Sequence, residues 1–259
     1  MFTGPDIVTD GLVFIADAIN PKSYPGSGTT WYDVSGNLGI GTLVNGTSFN
    51  SEGYISTDGT NDYVSFYGNL DAINNISGSD PFTFSALFEL PEYAIQRETN
   101  SANFASLLMK GSYNSSFGMS LVYDLPSGGV HTRNRLYSGV RNLSMASNES
   151  GYGNPIQYST TEFLLNRWYQ ADFTSEFSGT TYTFKTYING KLDILSTRSG
   201  GTYPVTFENT DALTVSGSPL GGNGINGFIN LANCKVYNKA LTAEEVQQNY
   251  NATKSRFNL

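Results

Sequence analysis

Few side chains in this sequence could carry covalent or metal chemistry. His131 is its one histidine and Cys234 its one cysteine. A Ser-His-Asp triad needs a histidine base held by a third group. A lone histidine with a lone, distant cysteine gives zinc no ligand set. Cys234 lies among strand-like residues in FINLANCKVYN and reads as a buried thiol, with no partner for an intrachain disulfide. His131 sits in HTRNRLYSGVRN with Arg133, Arg135 and Arg141, the densest basic stretch of the chain. Tyr137, Tyr152 and Tyr158 fall in the same irregular region, among many Ser, Asn and Gly residues. A tyrosine ring offers a flat apolar face with a polar handle, which suits stacking on a sugar. His131, Arg133, Arg135, Tyr137, Tyr152 and Tyr158 are therefore the candidate binding set, for a glycan or for a partner protein. The competing reading is that these tyrosines pack loops onto a sheet or make subunit contacts.

The chain has 259 residues, 39% hydrophobic and 14% aromatic, which is enough for one large domain with its own core. Charged residues make up 14%, below the ~25% typical of soluble domains, so Asn, Ser, Thr, Tyr and Gly must supply much of the polar surface. That style suits extracellular binding proteins and virion proteins, and β-sandwiches in general. The net charge of −8 repels phosphate backbones and argues against nucleic acid as a partner. The opening MFTGPDIVTDGLVFIAD has no basic n-region and no small-residue cleavage site, so it does not read as a secretory signal. No apolar run reaches the ~18–20 residues of a membrane span. Synthesis in a cytoplasm, without membrane insertion, is the expectation.

The elements that must position the candidates are short and punctuated by turns. Gly11–Asp17 (GLVFIAD) reads as a buried strand. The Pro- and Gly-rich loop after it is expected to anchor to the core through Trp31 and Tyr32. Asn45-Gly46 supplies the two positive-φ residues of a type I′ hairpin. A second strand pair is expected around the turn at Thr57–Asn61. In Phe82–Leu90, the residues Phe82, Phe84, Ala86, Phe88 and Leu90 alternate onto one face, as in a half-buried strand. ASLLMKGS and FGMSLVYD read as the next two strands. Ser127–Thr161 is the least regular part and reads as a long loop, although RLYSGVRN has strand character. Three strands follow Arg167, with another type I′ signal at Asn189-Gly190, and ALTVSG and GFINLANCKVYN complete the set. Regular spacing of this kind argues for one sandwich.

One stretch differs. In NKALTAEEVQQNYNATKSRF, Thr242 is a good N-cap and Glu245 stands at N3, which makes a capping box. Leu241 and Val246 form the matching hydrophobic staple. Leu241, Val246 and Tyr250 give a narrow apolar edge, so the helix is expected to lie on the sandwich rather than inside it.

Three blocks taken together carry a family resemblance. STDGTNDYVSF resembles an early Asp-Gly-x-x-Asp-Tyr-Val strand pair. WYQADFT with YTFKTYINGKLD resembles a Trp strand followed by Tyr-x-Asn-Gly. GFINLANCKVYNKALTAEEVQQNYN resembles a closing strand and helix. In this order they are similar to laminin-G-like domains, the concanavalin A-like lectin/glucanase jelly rolls. The resemblance implies an all-β, two-sheet antiparallel jelly-roll sandwich with one short C-terminal helix, with residues 1–10 as an N-terminal arm and 11–259 as a single domain. It also implies calcium as the one cofactor to consider, held at the sheet rim by Asp58 and Asp62, since calcium prefers oxygen ligands. The glucanases of this superfamily carry Glu-x-Asp-x-x-Glu on one strand. No such run occurs here: Glu89 and Glu92 flank Pro91, and Glu208 precedes Asp211 at another spacing. A non-enzymatic protein is therefore expected.

GLVFIADAINPKSYPGSGTTWYDVSGNLGIGTLVNGTSF resembles, more narrowly, the opening of laminin-G-like proteins of tailed bacteriophages. That likeness implies a virion structural protein such as a capsid decoration, head fibre or tail appendage. It would dock on other virion proteins through the N-terminal arm and form a symmetric homo-oligomer, for which a trimer is the guess. The alternative is a glycan-binding adhesin that recognises host-surface carbohydrate.

Overall fold

The computed structural model describes residues 5–76, 80–91, 104–112, 115–123, 133–142, 156–199, 212–217, 226–257 and 259. Its strands are β1 (Leu12–Asp17), β2 (Thr30–Tyr32), β3 (Gly39–Val44), β4 (Ser48–Asn50), β5 (Tyr54–Ser56) and β6 (Tyr63–Gly68), followed by a one-turn helix α1 (Asp71–Asn74). Next come β7 (Phe82–Glu89), β8 (Phe104–Ser112), β9 (Ser115–Tyr123), β10 (Arg133–Asn142), β11 (Ile156–Glu162), β12 (Trp168–Ser178), β13 (Thr181–Ile188) and β14 (Lys191–Ser199). The chain closes with β15 (Leu213–Val215), β16 (Asn230–Tyr237) and helix α2 (Ala243–Thr253).

These strands make two antiparallel sheets. Sheet I runs β14-β13-β12-β7-β16-β5-β4, with β1 also paired to β16. Sheet II runs β11-β10-β9-β8-β15-β6-β3-β2. The fold is thus the expected all-β two-sheet sandwich with one short C-terminal helix. Between the sheets lies a core rich in aromatic rings. Phe14 of sheet I meets Phe66 of sheet II edge-on with centroids 4.8 Å apart, and Phe82 and Phe173 pack at 5.9 Å. Each fully buried ring of this kind is worth roughly 1.5–3 kcal/mol. Gly41 of β3 leaves room for the ring of its cross-strand partner Phe66 on β6, because a Cβ there would stand 2.4 Å from that ring. Trp31 is fully buried, but Tyr32, expected beside it as an anchor, is 41% exposed. Alternation along β2 explains the difference: it sends Trp31 inward and Tyr32 outward.

Two turn expectations need correction. Asn45 has φ 59, but Gly46 does not share its left-handed conformation. Strand β3 belongs to sheet II and β4 to sheet I, so Asn45-Gly46 carries the chain between layers instead of closing a hairpin. Likewise β5 lies in sheet I and β6 in sheet II, and Thr57–Asn61 is a second crossing. One carboxylate serves both: Gly46 N donates to Asp62 Oδ1 at 2.7 Å and Asp58 N to Asp62 Oδ2 at 3.2 Å. Burial holds the Asp62 carboxyl above the usual carboxylate range, against the pull of the Gly46 amide. Asn189-Gly190 does form the I′ turn, with φ 51 and 76.

Strand β7 is buried on both faces from Phe82 to Phe88, rather than on one. Its inner face meets sheet II, and its outer face lies under the segment leading into α2. Thr83 Oγ1 donates to Lys239 O at 2.8 Å and accepts from Leu241 N at 2.9 Å. Helix α2 has its capping box: Thr242 Oγ1 accepts from Glu245 N, and Thr242 N donates to Glu245 Oε2 at 2.9 Å. Leu241 and Val246 staple it into a small second core with Val8, Tyr187 and Tyr237. The helix buries Val246, Asn249 and Thr253, and Tyr250 stays partly exposed. Polar groups therefore share the docking face. Thr253 Oγ1 reaches Gln170 Oε1 at 2.9 Å, and Asn249 Nδ2 reaches the Tyr237 hydroxyl at 3.0 Å. The segment ahead of β1 is tied to the same helix. Val8 N donates to Asn249 Oδ1, and Gln248 Nε2 donates to Asp6 O.

Replacing Thr242 by Ala removes the side-chain half of the capping box. Urea unfolding of T242A is expected to show a loss of about 1 kcal/mol. A variant as stable as the parent would show that docking alone fixes the helix.

Candidate functional site

Strands β10 and β11 form one edge of sheet II, inside the stretch the sequence reads as a loop. Alternation sorts their side chains. Leu136 is fully buried, and Ser138 Oγ lies 2.7 Å from Thr186 Oγ1 of β13, across the sandwich. Arg135 and Tyr137, of opposite parity, turn to the outer face. Tyr137 pairs in register with Tyr158 of β11. Their rings meet edge-to-face, with centroids 5.6 Å apart at 75°, and Tyr158 is 52% exposed. The structure thus brings together Arg135, Tyr137 and Tyr158 from the sequence-predicted set. Only the backbone of Arg133 is described, on β10, and His131 and Tyr152 lie outside the described residues.

The geometry of this edge has a local cause. The register shifts between Arg135 and Tyr137, as in a bulge that re-aims a side chain. Leu136 N is satisfied by Ser159 Oγ at 2.9 Å, and that hydroxyl donates to Thr161 O. Asp193 of β14 then ties the edge to sheet I. Thr160 N donates to its Oδ2 at 2.6 Å, while Thr160 Oγ1, Thr161 N and Thr161 Oγ1 all donate to its Oδ1. Asp193 is a positioning residue for Tyr158 that the sequence reading missed. Its partners lie more than thirty positions away, on a strand of the other sheet, and no local pattern announces them.

The outer face of sheet II carries two further exposed rings, Tyr32 at 41% and Tyr67 at 47%. Among the described residues no other aromatic side chain is exposed. A separate cleft of about 240 Å³ lies at one end of sheet I, lined by Asn166, Trp168, Asn189 and Phe257 among others. One face of Trp168 is already covered there, because Phe257 stacks on it at 3.7 Å and 16°.

Asp58 and Asp62 meet in one loop, but their oxygens serve the backbone. Asp58 Oδ1 accepts from Thr60 N at 2.8 Å and Asn61 N at 3.3 Å, and Asp62 accepts from Gly46 N and Asp58 N. Among the described residues no group of three acidic, histidine or cysteine ligands converges. Calcium takes six to eight oxygens, roughly, and this donor set does not fit it. Of the acidic residues weighed for hydrolysis, Glu89 accepts from Asn230 Nδ2 at 2.8 Å. Glu92, Glu208 and Asp211 lie outside the described residues. Among the described residues no helix is long and apolar enough to cross a membrane.

Comparison with known proteins places this geometry. The chain resembles the Trypanosoma rangeli sialidase solved with 2,3-difluorosialic acid as a covalent intermediate, with TM-score 0.61 and 14% identity over 98% of this chain and 35% of that one. It resembles botulinum neurotoxin type C, whose cell entry is described as dependent upon interaction with two ganglioside molecules, with TM-score 0.64 and 15% identity over 94% of this chain and 52% of that one. It resembles the binding domain of Paraclostridial Mosquitocidal Protein 1, with TM-score 0.62 and 19% identity over 94% of this chain and 52% of that one. The chain spans about a third to a half of the length of these structures, and at such identities the likeness is one of fold. No curated protein matches it. The family model Laminin_G_3 matches residues 58–247, which is well over half of the chain. That match takes in β6 through the start of α2, so the chain belongs to the concanavalin A-like lectin/glucanases superfamily.

Proposed function

We propose that this protein is a non-enzymatic carbohydrate-binding module that engages glycans on the outer face of sheet II. One observation carries the reading: the exposed aromatic side chains among the described residues, Tyr32, Tyr67 and Tyr158, all lie on that single face. Tyrosines scattered by chance over a surface would appear on both sheets and in loops. The names of the sialidase and neurotoxin structures support a glycan as ligand. The net charge of −8 favours a ligand without phosphates. The non-enzymatic part is supported by the sequence, which lacks the Glu-x-Asp-x-x-Glu run of the superfamily's glucanases.

A glycan array followed by titration calorimetry tests this reading. Tyr158→Ala is expected to weaken binding of the sugars that dock at β10–β11 by about tenfold, with little change in melting temperature. An intact protein that binds no glycan overturns the proposal. Asp193→Ala is expected to weaken the same sugars and also to lower the melting temperature, because it releases the β11 edge. If Asp193→Ala leaves binding intact, Asp193 does not position Tyr158.

The opening segment favours a second reading, in which a phage particle displays the module. The resemblance of Gly11–Phe49 to tailed-phage proteins supports a virion structural role and assembly as a homo-oligomer. Mass spectrometry of purified particles tests it, and absence of the chain from them removes the reading.

A further inference from the structure

Three exposed side chains at the far corner of sheet II form a straight row. Tyr32 on β2 pairs in register with Ile40 on β3, and Ile40 pairs with Tyr67 on β6. They are 41%, 47% and 47% exposed. Leu38, 70% exposed, precedes β3 at the same corner. Strand β2 is the last strand of the sheet, and Ser23 covers its backbone there: Tyr32 N donates to Ser23 O at 2.7 Å, and Ser23 Oγ donates to Tyr32 O at 2.6 Å.

We propose that Tyr32, Ile40 and Tyr67 form a platform for an extended, uncharged glycan chain lying across the strands. This deepens the glycan-binding reading and rests on it. Neighbouring strands lie about 4.8 Å apart, so two spacings set the tyrosine Cα atoms roughly 9.5 Å apart. That span is two repeats of an extended sugar chain, so the first and third of three consecutive rings would lie on the tyrosines, with the middle ring over Ile40 as an apolar floor. The C–H faces of pyranose rings meet the negative faces of the aromatic rings.

The neighbouring row decides the charge of the ligand. Thr30, Thr42 and Ser65 are paired in register on the same three strands and face the same way, although Ser65 is buried. Thr42 is exposed, and its hydroxyl can bond a sugar hydroxyl. None of these six side chains is charged, so nothing in either row offers a partner to a sulfate, a carboxylate or a phosphate. A second copy of the chain is a poorer occupant. Stable protein interfaces bury about 1,200–2,000 Å² in total, far more than three side chains and a leucine provide. The β10–β11 edge differs, since it offers one exposed ring beside Arg135.

The experiment is titration of the full chain with linear cello-, manno- and chito-oligosaccharides, from monosaccharide to hexasaccharide, with heparin oligosaccharide as the charged control. For at least one neutral series, affinity is expected to rise sharply up to the three-ring sugar and then level off. Tyr32→Ala and Tyr67→Ala are each expected to weaken that binding about tenfold, and Tyr158→Ala to leave it unchanged. Both tyrosines are exposed, so both variants are expected to fold, and the circular dichroism spectrum checks this. Binding of glycans that only Tyr158→Ala abolishes overturns the platform and leaves the carbohydrate-binding reading in place. Preference for heparin at this corner overturns the platform, as does a dimer in sedimentation that Tyr67→Ala dissolves. Failure to bind any glycan overturns both readings.

Discussion

Strand β16 has no exposed residue along its eight positions, and the rest of the fold is arranged to make that tolerable. It pairs with β7 on one side, and with β5 and then β1 on the other. Its inward residues Cys234 and Val236 join the aromatic core, where burial pushes the Cys234 thiol far above its ordinary range. Its outward residues are Asn233, Lys235 and Tyr237, and these are sealed too. Burying polar groups costs free energy unless they are hydrogen-bonded. Lys235 Nζ donates to Asn233 Oδ1 at 2.7 Å. Burial draws the Lys235 amine down from its ordinary value, with Asp172 pulling back. Burial likewise pushes the Asp172 carboxyl up, opposed by Gln170. This layer fixes register. A one-residue slip of β16 would turn Lys235 into the phenylalanine core and Val236 out of it. Helix α2 follows from the same constraint, because a doubly buried strand needs a cover on each face.

Two crossings between the sheets depend on another buried group. A jelly roll must pass the chain from layer to layer, and each passage leaves backbone groups without a ladder. Here the passages from β3 to β4 and from β5 to β6 lie side by side, and the Asp62 carboxylate accepts an amide from each. Asn45 Nδ2 adds a bond to Asn61 O at 2.6 Å. Thr57 Oγ1 donates to Gly227 O at 2.7 Å, tying the second crossing to the segment that leads into β16. The two crossings are braced by one another and by the closing strand.

Which parts of this were legible in the sequence follows from the range of each interaction. The capping box of α2 depends on Thr242 and Glu245, three residues apart, and could be read directly. So could the I′ turn at Asn189-Gly190, whose flanking strands β13 and β14 are neighbours. Asn45-Gly46 carries the same letters but joins strands of different sheets, and sheet membership is a tertiary fact. Tyr32 follows Trp31 in the chain, yet pleating sends them to opposite faces. The polar part of the helix's docking face was not legible, because Asn249 and Thr253 look solvent-facing by residue type. Their partners, Tyr237 and Gln170, come from distant strands. At the candidate site the backbone was not legible from residue type. Ser, Asn and Gly between Ser127 and Thr161 suggest a loop, but β10 and β11 pair there, and Asp193 completes the edge.

The outer faces of the two sheets have been put to different uses. Over its central strands β7, β12 and β16, sheet I gives its outer face to α2 and the residues before it. Thr83, Gln170 and Tyr237 spend their polar groups on that cover, through Leu241, Thr253 and Asn249. The exposed apolar residues left toward the β14 edge of sheet I are Leu192 and Leu195, each 53% exposed. Aliphatic groups of that kind are ordinary on a surface and have no directional chemistry. Sheet II exposes tyrosines instead. A half-exposed tyrosine gives up part of the burial energy a core position would supply, and it keeps a flat face and a hydroxyl available to a ligand. Stability alone gives no reason for three such rings to lie on one sheet face while the remaining described aromatics are buried or partly buried. With α2 covering the centre of sheet I, the exposed tyrosines stand toward the two ends of sheet II, while Ser65, Thr214 and Ser120 on the strands between them are buried.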